Sequence, residues 1–334
     1  MDPERRSALL QSKLRALVVA TRALTRPEVS AAAPGAIRGG ATLVAGATGF
    51  VLAEDDPARA LGPAMTWGAR GSVEELHVLA LAEAAPDLAR RAALFAEPPS
   101  VWAVDGTSVE MAAPRPFPTD PALPADVAAF SVVIEAAGAE AVVEQGVLRA
   151  EVLGLEVGRV VVGDDGPVLE VGVGKHDRWA HAELASPMGL LDELRAAVDE
   201  VRTRRVADGL HQLARLTPER WLRSVVMARP ELAGAASLAA IPSPVARPDL
   251  RTTAPAPAMG VDATGRPVVV VCSVGIDLDL VPAGADMAVF HEARLVLVVP
   301  EGDDHPLNRQ LSGRLAAPAE WRTVGPDWAA LYPG

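Results

Sequence analysis

The sequence contains a single cysteine, Cys272, among 334 residues. One cysteine cannot form an internal disulfide, and proteins without disulfides are typical of reducing compartments, which predicts a cytoplasmic location. The sequence also lacks any run of about 18 consecutive apolar residues, the length that a membrane-spanning helix needs. Near the N-terminus, leucines recur at helical spacing and Arg15 and Arg22 interrupt the apolar run, which predicts an amphipathic helix docked on its own domain.

Aromatic residues are scarce, at 4% of the chain, although half of all residues are hydrophobic. Valine, leucine and alanine must therefore fill the core, and the length is typical of one large domain or two smaller ones. Basic residues are also in deficit, because 31 lysines and arginines face 43 acids and give a formal net charge of −12. Proteins that grip duplex nucleic acid usually present a basic face, so this balance disfavours that function for the molecule as a whole.

Strand-like and helix-like segments alternate in the first and last parts of the chain, which predicts a mixed α/β fold. Five prolines in "APRPFPTDPALPADV" predict an exposed linker over 113–127. We therefore predict two packed modules, an N-terminal α/β module over 1–112 and a second region over 128–334. In the second region a β-meander precedes a C-terminal α/β module. The sequence shows no repeat of fixed period.

The stretch "ATLVAGATGFVLAEDD" places two short apolar runs around a Gly-Ala-Thr-Gly turn, which predicts a β-hairpin. The alternative is a phosphate-binding loop, which requires a strand before the glycines and a helix that begins on them. Strand-like residues follow the glycines, so the hairpin is favoured.

The middle of the chain predicts a helix over 127–146 that is broken near Gly138, followed by a β-meander over 147–174. Two amphipathic helices are predicted after it, over 189–205 and 217–234. The last of these has Thr217 as its N-cap and Pro218 at its first helical position.

Four valines run into Cys272, and carboxylates follow at Asp277 and Asp279. The valine run predicts a buried strand. Free cysteine is among the most buried residue types and nothing basic adjoins this one in the sequence, so structural burial is favoured over a nucleophile. Asp277 and Asp279 lie on one face if the strand continues, and their mutual repulsion predicts either a cation or open solvent beside them.

The order of elements in the final third resembles the restriction-endonuclease-like, or PD-(D/E)XK, nuclease superfamily, particularly its DNA-repair members. A helix with Glu219 and Glu231 precedes Pro248-Asp249, and the strands "VVVV" and "RLVLVVP" follow. The resemblance implies a restriction-endonuclease-like C-terminal module. It also implies a magnesium or manganese site in which acids hold the ion.

This sequence departs from the superfamily pattern at the Glu-x-Lys motif, where it has Val270-Val271-Cys272-Ser273. If the protein is an enzyme, Asp249, Asp277 and Asp279 are then the expected metal ligands, in a rebuilt site.

The densest polar cluster is "KHDRWAH", immediately after the meander. One interpretation makes His176 a general acid or base that Asp177 orients, with Arg178 as an anion clamp. The other, which we favour, is a solvated connection between a strand and a helix. The meander itself carries a second group of acids, and these are Glu144, Glu151, Glu156 and Glu170.

The region over 202–223 is locally basic although the chain as a whole is acidic, because six arginines cluster within its helices. They are Arg202, Arg204, Arg205, Arg215, Arg220 and Arg223. A basic groove formed by these side chains would bind nucleic acid.

Two hypotheses therefore stand. The first is a soluble intracellular α/β protein that serves as a non-catalytic or degenerate nuclease-like interaction or regulatory module, linked to nucleic-acid processing. The alternative is a metal-dependent phosphodiesterase or nuclease that uses Mg²⁺ or Mn²⁺.

Overall fold

A computed structural model describes residues 2–119, 121–174, 189–205, 211–247 and 249–332. It contains helices and three β-sheets of six, four and five strands, and two of these sheets combine parallel and antiparallel pairs. The predicted mixed α/β class is confirmed. No helix in the described ranges is long and apolar enough to cross a membrane.

The first sheet has its strands in chain order, with parallel pairing in the centre and antiparallel pairing at both edges. Its strands are β1 (Ala33–Ile37), β2 (Gly40–Ala45), β3 (Thr48–Ala53), β4 (Glu75–Leu81), β5 (Ser100–Asp105) and β6 (Ser108–Met111). The helices of this region are α1 (Pro3–Thr21), α2 (Arg26–Ala31), α3 (Leu61–Arg70) and α4 (Ala85–Ala92).

Two local predictions for this region are confirmed. Gly46 and Ala47 form the two-residue turn between β2 and β3, so the glycine motif is a hairpin and not a phosphate-binding loop. Helix α1 packs onto its own sheet, where its buried Leu14, Leu17 and Val18 share one apolar core with residues of β2 and β3.

The second sheet is the predicted meander, with one strand more than expected. Its strands are β7 (Glu140–Glu144), β8 (Val147–Val152), β9 (Leu155–Gly163) and β10 (Gly166–Val171), and all pairs are antiparallel. The nearby helices are α5 (Ala125–Ala128), α6 (Phe130–Ala136) and α7 (Leu190–Arg204).

The prediction that the helix resumes beyond Gly138 is wrong. Gly138 has a φ of 83°, a left-handed conformation that ends the helix, and β7 begins two residues later. The β-branched Val142 and Val143 then pair with β8, because tertiary pairing outweighs the helix propensity of the neighbouring alanines and glutamates.

The third sheet follows α8 (Pro218–Ala228). Its strands are β11 (Ser237–Ala240), β12 (Ala256–Val261), β13 (Pro267–Cys272), β14 (Arg294–Pro300) and β15 (Glu320–Val324). The connecting helices are α9 (Leu280–Phe290) and α10 (Pro306–Ser312). Short 3₁₀ segments lie at Pro57–Arg59, Gln212–Arg215, Pro230–Ala233, Glu301–Asp303 and Trp328–Leu331. The valine run is β13, and residues 268–272 are fully buried as predicted.

The structure contains a repeated unit that the sequence does not reveal. Strands β1–β5 and β11–β15 have the same order and the same pattern of antiparallel and parallel pairs. The register also agrees. In the first sheet the third residue of β4, His77, pairs with the first residue of β5, Ser100, and in the third sheet the third residue of β14, Val296, pairs with the first residue of β15, Glu320. Ser72, just before β4, and Glu292, just before β14, both have a positive φ, of 52° and 50°. The repeat therefore consists in strand order, pairing direction and register.

The chain divides into two compact units, and the division differs from the predicted one in two segments. The first unit comprises Met1–Phe117, Val281–Phe290 and His305–Ala319, and the second comprises Pro118–Leu280, His291–Asp304 and Glu320–Gly334. The first boundary falls within the predicted linker.

Two contacts explain why the late segments belong to the first unit. Phe95 and Leu315, which occupy equivalent places in the repeat, form an antiparallel bridge. Asp286 of α9 is buried and accepts hydrogen bonds from Arg90 Nε and Nη2 of α4, at 2.8 and 2.9 Å.

Candidate functional site

The predicted acid–base group His176, Asp177 and Arg178 lies outside the described residues, as does Pro248. Asp249 is described, and it is exposed. Its Oδ1 accepts hydrogen bonds from the backbone N–H groups of Arg251 and Thr252, both at 2.8 Å, and these bonds lower the pKa of Asp249. Asp249 therefore organises a turn.

Asp277 and Asp279 are buried, at 6% and 3% exposure, in the loop after β13. The strand ends at Cys272, so the expected alternation does not extend to them. Asp279 N donates a hydrogen bond to Asp277 Oδ1 at 3.0 Å. Among the described residues, no three His, Cys, Asp or Glu side chains are arranged to hold a metal ion. The structure thus does not bring Asp249 together with Asp277 and Asp279 as a ligand set.

Cys272 is fully buried at the end of β13. Burial raises the pKa of its thiol to about 12, with Arg223 opposing the shift. The side chain is therefore a protonated thiol at neutral pH, which confirms the structural interpretation over the nucleophile.

The arginines expected to form a nucleic-acid groove do not share a surface. Arg202, Arg204 and Arg215 are exposed, whereas Arg205, Arg220 and Arg223 are buried at 3% exposure or less. The groove prediction is wrong for the buried three, because these guanidinium groups lie inside the protein and bind carboxylates or backbone carbonyls there.

The structure brings the buried arginines to the acids of the meander. Strand register places Glu140, Glu151 and Glu156 side by side across β7, β8 and β9. Like charges in directly opposite positions destabilise a sheet unless cations compensate them. For Glu151, the middle acid, the compensating cations are Arg220 and Arg223, which lie one turn apart on α8.

We call this group the charge cluster, and it consists of Glu144, Arg149, Glu151, Glu156, Arg159, Arg220 and Arg223. Arg220 binds both Glu144 and Glu151. Arg223 Nη2 donates to the second oxygen of Glu151 at 2.7 Å. Both oxygens of Glu151 are therefore engaged by helix α8.

A second group of ion pairs completes the cluster on the sheet. Arg149 Nη1 lies 2.8 Å from Glu156 Oε2 and 3.3 Å from Glu144 Oε2. Arg159 Nε donates to the other oxygen of Glu156 at 2.7 Å. Each carboxylate of the cluster thus contacts two guanidinium groups, and the network links three strands to one helix.

The local fold explains why these charges meet. The opposite face of the same sheet is apolar, and Leu148, Ala150 and Val152 of β8 pack there in one core with residues of α7. Strand alternation then directs Arg149 and Glu151 to the other face. The turn between β8 and β9 lies against the start of α8, where Thr217 Oγ1 donates to Gly154 O at 3.0 Å. Thr217 occupies the N-cap position of α8 and Pro218 follows it, as predicted, but the Thr217 side chain anchors this turn and makes no capping hydrogen bond to its own helix.

The pKa values of the acids in this region shift in opposite directions. Burial alone would raise the pKa of Glu151, but Arg220 and Arg223 lead a group of arginines that hold it below its ordinary value. Burial raises the pKa of Glu219, and Asp277 adds to that rise while Arg247 opposes it. The arginines thus hold the pKa of Glu151 below its ordinary value, whereas burial holds the pKa of Glu219 above it.

Glu140 gives a direct test of these electrostatics. Burial raises its pKa, which Arg223 opposes and Glu151 reinforces. A carboxyl with a raised folded-state pKa costs stability as the pH rises above its unfolded value of about 4.3 and up to the folded value. We therefore expect Glu140→Gln to raise the free energy of unfolding at pH 7 and to change it little near pH 4.

Urea unfolding at both pH values measures this effect. Glu135→Gln is the matched control, because Glu135 is exposed and lies in α6, before β7 begins. A loss of stability at pH 7 in the Glu140 variant would contradict the assignment.

The first unit contains a cavity of about 120 Å³. Met65, Leu76 and Pro98 line it together with Glu74 and Glu97. Pockets for small-molecule ligands usually have volumes of roughly 300–1,000 Å³, so this space suits a few water molecules. The charge cluster is therefore the stronger candidate.

No family model matches this chain, and no curated protein and no solved structure matches it.

Proposed function

We propose that this protein is a non-catalytic interaction module in which acids of a nuclease-like arrangement form structural ion pairs. The observation that carries the proposal is the pair between Glu219 and Arg247, whose Nη1 donates to Glu219 Oε1 at 3.0 Å. Both side chains are buried. The nuclease resemblance gives a helix acid such as Glu219 to a metal ion, and here a guanidinium occupies that carboxylate.

The charge cluster supports the same proposal. Arg220 and Arg223 bind Glu144 and Glu151 inside the protein, so these charges are used for internal neutralisation. Buried networks of this kind favour one specific arrangement of their elements. The link to nucleic-acid processing rests on the sequence resemblance alone.

We assign the partner-binding surface to Phe117, Val289 and Phe290 of the first unit, here called the Phe patch. The rings of Phe117 and Phe290 stack with their centroids 4.3 Å apart, and Val289 and Phe290 are exposed. The guanidinium carbon of Arg90 lies 5.5 Å from the Phe117 centroid. Aromatic and arginine side chains are enriched at the centres of protein interfaces, which favours a protein partner here.

Affinity capture from an extract of the producing cells tests this surface. Immobilised wild-type protein is expected to retain a partner that Phe290→Ser loses. Val132→Ser, which removes an exposed apolar side chain of the second unit, should retain it. Identical capture by both variants would overturn the assignment of the Phe patch.

One observation favours the second candidate, a metal-dependent phosphodiesterase. The Asp277 carboxylate is close enough to Glu219 to raise its pKa further, and a divalent cation would relieve that repulsion. If metal binds there, millimolar Mn²⁺ or Mg²⁺ should raise the melting temperature of the wild type and of Glu231→Gln, but not of Glu219→Gln. Such a shift, together with hydrolysis of a phosphodiester, would replace the interaction module by the enzyme.

A further inference from the structure

Arg205 is a buried cation whose hydrogen bonds are incomplete. It directly follows α7 and is 2% exposed. Its Nη2 donates to the carbonyl oxygens of Leu216 and Thr217, at 2.6 and 3.0 Å. Its Nε and Nη1 atoms are buried and have no hydrogen-bond partner within the described ranges. Three of the five guanidinium N–H bonds are thus without an acceptor.

The two carboxylates that act most strongly on Arg205 form ion pairs with other arginines. Glu219 and Glu151 both act on Arg205 electrostatically, but neither accepts a hydrogen bond from it. Glu151 binds Arg220 and Arg223, and Glu219 binds Arg247 through Oε1, while its Oε2 has no hydrogen-bond partner among the described residues. Burial lowers the pKa of Arg205 to about 9, with these two acids opposing the shift. The side chain therefore remains a cation at pH 7.

A buried cation with unused N–H groups is costly, and among the described residues only the carbonyls of Leu216 and Thr217 accept hydrogen bonds from Arg205. Its guanidinium carbon lies 4.8 Å from the centroid of Trp221, which covers one face of the group. The carbonyls of Leu216 and Thr217 hold its position just before the first residue of α8. The N-terminal end of this 11-residue helix carries a partial positive charge that also favours an anion.

We infer that Arg205 binds an oxyanion, a phosphate or a carboxylate group, at the N-terminal end of α8. The oxygens of such a group would accept hydrogen bonds from the Nε and Nη1 N–H groups, which have no acceptor among the described residues, and would supply a negative charge. This site is independent of the Phe patch, so either assignment can fail without the other.

Melting in inorganic phosphate, at constant ionic strength and against chloride, tests the inference. With phosphate at about ten times its dissociation constant, the melting temperature of the wild type is expected to rise by roughly 2–5 °C and to approach saturation. A general salt effect would instead grow steadily with concentration. Acetate in a parallel titration distinguishes a carboxylate source from a phosphate source.

Arg204→Met is the matched control, because Arg204 is adjacent in sequence but exposed. The saturating rise should persist in Arg204→Met and disappear in Arg205→Met. If Arg205→Met does not fold, broadening of the ³¹P resonance of phosphate by the wild type, reduced in Arg205→Lys, gives the same answer. An equal rise in both methionine variants, or neither a saturating rise nor ³¹P broadening in the wild type, would overturn the site.

Discussion

Gly154→Ala is expected to destabilise the second unit by about 2–5 kcal/mol, whereas Gly146→Ala should cost only about 1–2 kcal/mol. Both glycines are the second residue of a two-residue turn in the meander. Gln145 and Gly146 have φ angles of 53° and 72°, and Leu153 and Gly154 have 50° and 73°. Backbone strain is therefore nearly the same in the two variants.

The two sites differ in what a methyl group would meet. A Cβ atom at Gly154 would lie 2.3 Å from the backbone carbonyl carbon of Arg220, and one at Gly146 would find its nearest neighbour, a Pro121 side-chain atom, at 3.9 Å. The backbone of α8 cannot yield as a flexible side chain would. The turn and the helix must therefore separate, which also disturbs the ion pairs of Arg220.

Chemical denaturation of the two variants in parallel measures the difference. Far-ultraviolet circular dichroism at low denaturant should remain native-like for Gly146→Ala. Equal losses in both variants would mean that the close approach between Gly154 and α8 contributes nothing.

Patterns of local origin were predictable from the sequence. The valine run ending at Cys272 predicts a buried strand, because a short continuous apolar stretch is typical of a strand in a sheet that is covered on both faces. The turn at Gly46 reads as a hairpin because strand-like residues follow it. Both features depend on a few neighbouring residues, and both are confirmed.

The charge cluster could not be predicted, because its members are far apart in the chain. The sequence shows Glu144 only as one of a group of acids in the meander and predicts a nucleic-acid contact at Arg220, and the structure makes them partners across 76 residues. One signal was available in the sequence. Arg149 and Glu151 are two residues apart in a strand whose alternate residues are apolar, which places two opposite charges on one face and calls for charged partners there.

The sequence also gives no sign that two late segments pack with the first unit, for a similar reason. The segments around Asp286 and Leu315 follow strands of the third sheet in sequence but belong to the first unit. Their contacts with Arg90 and Phe95 span about two hundred residues, a separation over which a local sequence pattern predicts no contact.

Arg220→Met is expected to lower the free energy of unfolding by roughly 3 kcal/mol, the lower end of the range for breaking a buried ion pair. Methionine keeps an unbranched apolar stem like that of arginine but lacks the guanidinium, so Glu144 and Glu151 would lose their shared partner. The effect stays at the lower end because Arg149 remains beside Glu144 and Arg223 beside Glu151. Arg215→Met, at an exposed position, should change stability by no more than about 0.5 kcal/mol.

The pH dependence separates lost charge pairing from lost packing in Arg220→Met. The pKa of Glu151 is held below its ordinary value despite burial, so this carboxylate stabilises the wild type above about pH 4.5 and progressively less as the pH falls through the folded-state value. The difference between wild type and Arg220→Met should therefore shrink in acid. Adding Glu144→Gln and Glu151→Gln to Arg220→Met should recover part of the loss at pH 7. A deficit that stays constant with pH and is not recovered would show that Arg220 acts by filling space, and the charge cluster would then lose its role as the element that joins α8 to the meander.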